Sequence, residues 1–162
     1  MPSIRACPLP EDALLSKYAQ AGAYTDCLTT EICRPVSHAA YIEAFYTSRI
    51  FKLERLLLAW LMHKPSTDAQ ARALADQLLI CDFLGYTRSW LMIAPPGDGG
   101  AAGTRLYFGT AVVPARDTVS GQATWTFSFR MLLPFHKLYA RTLLYAARLR
   151  LERDIPVSRP AE

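Results

Sequence analysis

His136 and Tyr139 stand three residues apart in a segment, Pro134 to Glu152, whose apolar residues recur at helical spacing. On a helix that separation makes the two side chains neighbours, and a histidine-tyrosine pair can move a proton. Such a relay becomes catalysis only beside a nucleophile or a carboxylate, and the sequence places neither at a fixed offset from this pair. The structural alternative is a histidine packed at a helix start and a tyrosine in the core. Arg88 and Arg105 sit in strand-like runs of aromatic and aliphatic residues. A guanidinium is costly to bury alone, so an inward arginine demands either an anionic ligand or an acidic partner such as Asp26, Glu31, Glu54 or Asp82. The internal salt bridge is the expected outcome. Trp90 and Tyr107, with Trp60, Trp125 and Phe108, can line an apolar pocket or fill the core. The ligand-binding set read from residue types is therefore Trp90, Arg88, Arg105, Tyr107, His136 and Tyr139, and no catalytic residue is assigned.

Several chemistries have no support. There is no Ser-His-Asp order, glycine-rich phosphate loop or defensible pair of catalytic carboxylates. His38 and His63 lack metal-ligand spacing. Cys7, Cys27, Cys33 and Cys81 are scattered without a CxxC pair and read as buried, reduced thiols. No metal and no cofactor are expected.

The 162 residues fit one domain spanning 1–162, with 51% hydrophobic and 20% charged residues, which is a globular balance. The net charge of +4 is mild and gathers towards the C-terminus without a binding motif, so nucleic acid is not expected as a partner. Met1 to Pro10 lacks the apolar run of a signal peptide, and Ile50 to Met62 is too short and too interrupted by charge to cross a bilayer. The expected location is cytoplasmic.

Local signals set the elements. Pro10, Glu11 and Asp12 open a helix over about 10–20, which Gly22 ends in a left-handed conformation. Tyr24 to Ile32 reads as a strand, and Ser37 caps a helix through Phe45. A second helix carries Ile50, Leu53, Leu57, Trp60 and Leu61, and Thr67 with Gln70 caps a short third one over Asp68 to about Asp76. Gln77 to Leu84 and Thr87 to Ala94 form a hairpin around Gly85-Tyr86, Thr104 to Val113 alternates as another strand, and Trp125, Phe127 and Phe129 make a last short strand. The closing helix over about 134–152 turns Phe135, Leu138, Thr142, Tyr145 and Leu149 towards the sheet, widened by Tyr139, Leu143 and Ala146. Lys137, Arg141 and Arg148 fall on the other side. Grouped strands give an α+β class, an antiparallel sheet curved around the long C-terminal helix.

This order resembles the START-like (SRPBCC-type) helix-grip superfamily. More specifically, Tyr24-Thr25-Asp26-Cys27, Phe45-Tyr46-Thr47, Phe51-Lys52-Leu53-Glu54-Arg55, Thr87-Arg88-Ser89-Trp90-Leu91, Arg105-Leu106-Tyr107-Phe108-Gly109 and Phe135-His136-Lys137-Leu138-Tyr139 are similar to blocks of an uncharacterised bacterial family. The resemblance implies a hydrophobic ligand held between sheet and helix. It also implies a further strand just before Asp76-Gln77, which this chain lacks by the reading above, leaving the sheet incomplete. The expected function is a domain binding a small apolar or amphipathic ligand between the sheet and the closing helix. Two alternatives are an interaction module that brings the basic helix to a protein or to a membrane surface as a peripheral contact, and a cyclase- or hydratase-like enzyme.

Overall fold

The structure, a computed structural model, describes residues 4–48, 72–73, 77–81, 87–96, 103–113, 115–116, 123–124 and 127–153. The helix expected around Ile50 to Leu61, the Thr67-Gln70 cap and the Gly85-Tyr86 turn lie outside those residues. The described elements are β1 (Arg5–Ala6), α1 (Ser16–Gln20), β2 (Tyr24–Ile32), α2 (His38–Tyr46), β3 (Arg72–Ala73), β4 (Gln77–Cys81), β5 (Thr87–Ala94), β6 (Thr104–Val112), β7 (Ala115–Arg116), β8 (Ala123–Thr124) and α3 (Phe127–Arg153). The fold is α+β, as the grouping of strands implies.

Six strands form one antiparallel sheet in the order β1-β2-β6-β5-β4-β3. β2 and β6 pair along nine residues each, from Tyr24 opposite Val112 to Ile32 opposite Thr104. Because strand side chains alternate, this register sorts the sheet into two faces. Leu28 and Ile32 of β2, Leu106 and Phe108 of β6 and Leu91 of β5 meet Tyr41 and Phe45 of α2 and Leu143, Leu144, Ala147 and Leu151 of α3. On the opposite face Cys27, Leu79, Trp90, Met92 and Ala111 are covered by Ala13 and Leu15 of the N-terminal segment. Trp90 stands directly across from Gly109. A Cβ at Gly109 would lie 2.8 Å from the Trp90 ring and 3.1 Å from Leu15, so glycine here is what lets both settle on β6.

Ser37 caps α2 by accepting the Ala40 amide, and Gly22 takes φ 81° after α1, as expected. α1 itself is shorter than the helix read over 10–20. The buried Gln77 side chain accepts the Leu14 amide at 3.0 Å and the Trp90 indole N–H at 2.9 Å, and its amide donates to the Asp12 carbonyl at 3.2 Å. Those backbone groups are held by the sheet, so helix starts only at Ser16.

Two other expectations are corrected. Arg72–Ala73 is a strand paired with Leu78 and Leu79, not part of a helix running to Asp76. A strand therefore does precede Asp76, short as it is, and the inference that it is missing fails. The closing helix begins at Phe127, so Phe127 and Phe129 belong to it and Pro134 lies inside, where it forgoes one backbone hydrogen bond. The nearby strand β8 pairs with β7, apart from the main sheet.

The helix also faces differently. Its buried side is Ala140, Leu143, Leu144, Ala147 and Leu151, whereas Phe135, Leu138 and Tyr145 are 71%, 66% and 50% exposed. Arg148, expected in solvent, is only 11% exposed along its side chain and pairs with Glu152 at 2.7 Å. Its stem covers apolar surface while its head meets a carboxylate one turn on. Leu144→Ala should cost about 2–5 kcal/mol in urea unfolding, and Leu138→Ala should stay within about 0.5 kcal/mol, as surface changes do. Comparable losses from the two would contradict this orientation.

Candidate functional site

Asp26 and Thr110 are opposite partners on β2 and β6, and both side chains point to the helix-covered face. There they meet His136, two residues past Pro134 on α3. Thr110 Oγ1 donates to Asp26 Oδ1, and His136 Nε2 lies 2.7 Å from that hydroxyl and 3.6 Å from Asp26 Oδ2. The threonine has one proton and gives it to the carboxylate, so the imidazole must donate from Nε2 to the threonine oxygen. Thr110 is buried, and it sits between the histidine and the aspartate. In a nucleophile triad the base occupies the middle and the hydroxyl faces the substrate. The arrangement is instead an anchor that fixes the N-terminal half of α3 to the sheet.

Beside the anchor runs a groove of about 730 Å³, walled by Ala6, Cys7, Tyr24 to Leu28 and, from α3, Lys137, Leu138 and Arg141. It exists because β1 is short: its two residues cover β2 only at Leu28 and Thr29, so among the described residues no strand flanks the start of β2 on that side. The helix closes on the sheet from Ala140 onward, where its inner side chains join the core. Burial first, and Asp26 second, push the Tyr24 hydroxyl above its ordinary pKa, so it stays neutral at the groove wall. Neither Lys137 nor Arg141 has an ion-pair partner among the described residues.

The six residues proposed from sequence do not assemble into one site. Trp90, Tyr107, Arg88 and Arg105 occupy the face covered by the N-terminal segment, away from α3. The Trp90 and Tyr107 rings pack 6.1 Å apart in that layer, and Arg88 donates to the Tyr18 hydroxyl at 3.2 Å. Arg105 pairs across the strands with Glu31 at 2.6 Å, the internal salt bridge expected of it. His136 and Tyr139 lie on α3, and Tyr139 packs against the core. Only His136 reaches the groove region. Residue types alone did not mark Thr110; Lys137 and Arg141 were read only as the basic face of the closing helix, and Asp26 as a possible partner for arginine and part of a resembling block. The available signal was an aspartate within a strand whose following alternate positions, Leu28, Thr30 and Ile32, are buried. Among the described residues no group of three or more His, Cys, Asp or Glu side chains could hold a metal ion, and no helix is long and apolar enough to cross a membrane.

Comparison with protein-family models, curated proteins and solved structures finds no match to this chain.

Thr110→Val keeps the shape of the side chain but leaves the aspartate and histidine without their bridge. Stability should fall by about 1–3 kcal/mol in chemical denaturation, the usual cost of stranding a buried partner. Amide exchange should also quicken around His136 while remaining unchanged near Leu151. An unaltered unfolding curve would show that the bridge anchors nothing.

Proposed function

We propose that the protein is a binding module whose groove takes a small amphipathic anion. The carrying observation is the groove itself, in which apolar Leu28 and Leu138 lie beside two cations, Lys137 and Arg141, that no described carboxylate neutralises. An aliphatic body would lie along the leucines and a carboxylate or phosphate head would meet the cations. Asp26 lines the same groove, but its carboxylate is engaged by Thr110 and His136. The volume is of the order used by small-molecule sites. The resemblance to helix-grip proteins supports the ligand class, although this groove opens at the sheet edge and not beneath the whole helix.

A second reading has its own observation. Phe135, Leu138 and Tyr145 make an exposed apolar face on a helix that also presents Lys137 and Arg141, and such a face suits the surface of an anionic membrane. Fluorescence titration with a dansyl-labelled undecanoic acid separates the two. Binding should be saturable and weaken at least tenfold, about 1.4 kcal/mol, in a Lys137→Glu/Arg141→Glu variant, with anionic vesicles failing to sediment the wild type. Equal affinity in wild type and variant would remove the groove as the site. Sedimentation with vesicles that Phe135→Ser abolishes would favour the membrane.

A further inference from the structure

The sulfur atoms of Cys7 and Cys27 lie 3.2 Å apart. Strand register brings them together: Arg5 aligns with Thr29 and Ala6 with Leu28, so the next pair outward is Cys7 with Cys27. The Cys7 amide donates to the Cys27 carbonyl at 3.0 Å. Cross-strand residues that share backbone hydrogen bonds have Cα atoms about 5.5 Å apart, within the span of a disulfide. From 3.2 Å the two sulfurs need close by only about 1 Å to reach the S–S bond length of about 2.05 Å.

The two thiols are not equivalent. Cys27 is buried and Cys7 is half-exposed, and both line the groove, through which a small oxidant can enter. One S–H···S hydrogen bond links the two sulfurs. That bond favours the thiolate at Cys7, whose pKa falls below the usual thiol value with help from Arg105. The same bond, together with burial, holds Cys27 protonated. An accessible nucleophilic sulfur backed by a buried thiol in contact is the arrangement of a redox-responsive pair. Exposed Cys33 has no such neighbour among the free cysteines described.

We propose that Cys7 and Cys27 form a reversible, hydroperoxide-oxidised dithiol. The Cys7 sulfur attacks the distal oxygen of hydrogen peroxide, the O–O bond breaks, and the Cys7 thiol plus peroxide become a sulfenic acid and one water. The Cys27 sulfur then attacks the Cys7 sulfur, the S–O bond breaks, and the thiol proton leaves with the hydroxyl as a second water. Two thiols are oxidised by two electrons and the peroxide is reduced by two. A dithiol reductant reverses the bond by exchange. The cross-link would tie β1 to β2 across the twenty-residue separation that contains α1.

The test treats the full-length protein with one equivalent of hydrogen peroxide, quenches it with an alkylating agent and maps peptides by mass spectrometry. The expected product has lost two hydrogens, carries a Cys7–Cys27 bridge, regains both thiols with dithiothreitol and melts several degrees higher than the reduced form. In Cys27→Ser, shown to be folded by circular dichroism, Cys7 should stop at a sulfenic acid that dimedone traps. The proposal is overturned if wild-type Cys7 reaches the sulfinic state while Cys27 remains alkylatable. It is equally overturned if Cys33 oxidises while the pair stays reduced. Neither result depends on whether the groove binds an amphipathic anion.

Discussion

The antiparallel register between β2 and β6 is the constraint on which everything else rests. It places Asp26 against Thr110 on one face, Cys27 against Gly109 on the other, and Glu31 against Arg105 at the far end. A slip of one residue would send each of these side chains to the wrong face. The helix anchor, the seat of Trp90 on β6 and the cross-strand salt bridge would vanish together. One pairing thus determines which residues face α3 and which face the N-terminal segment.

Both faces are closed, by different means. The helix side is an apolar seam in which Phe45 and Phe108 pack 4.8 Å apart and α3 contributes small and aliphatic residues. Tyr41 is fully buried there, donates to the Tyr107 carbonyl at 3.1 Å, and is pushed well above the ordinary tyrosine pKa by burial. The other side is clipped by Gln77, whose amide satisfies three groups at once. Thr104 serves a similar purpose at the end of β2, accepting the Val36 amide and donating to the Arg34 carbonyl. Arg34 in turn donates to the Leu151 carbonyl near the end of α3, where a cation complements the helix dipole. The seam is tight from Ala140 onward and parts towards Phe135, and the groove lies at that parting.

Elements with local signals were legible in the sequence. β2, β5, β6 and the Ser37-capped α2 follow from alternation and capping chemistry, which act over a few residues. What depends on distant partners was not. A helix over 10–20 satisfies every local rule and is overruled by Gln77, more than sixty positions away. The closing helix carries two apolar stripes. The larger residues, Phe135, Leu138 and Tyr145, suggested the buried one, yet the sheet accepts the stripe built on Ala140 and Ala147, because small residues let the helix approach closely. Asp26, Thr110 and His136 meet only through the sheet register and the docking of α3, so no spacing announces them. Cys7 and Cys27 lack any CxxC signature for the same reason.

The proposed binding surface joins the start of β2 to the stretch of α3 from Lys137 to Arg141. Hydrogen exchange with and without saturating dodecanoate tests it directly. Binding there should slow exchange at Tyr24 to Cys27 and at Lys137 to Arg141, with Trp90, Met92 and Tyr107 unchanged. Protection confined to the Trp90 and Tyr107 layer, or none in either region, would contradict it.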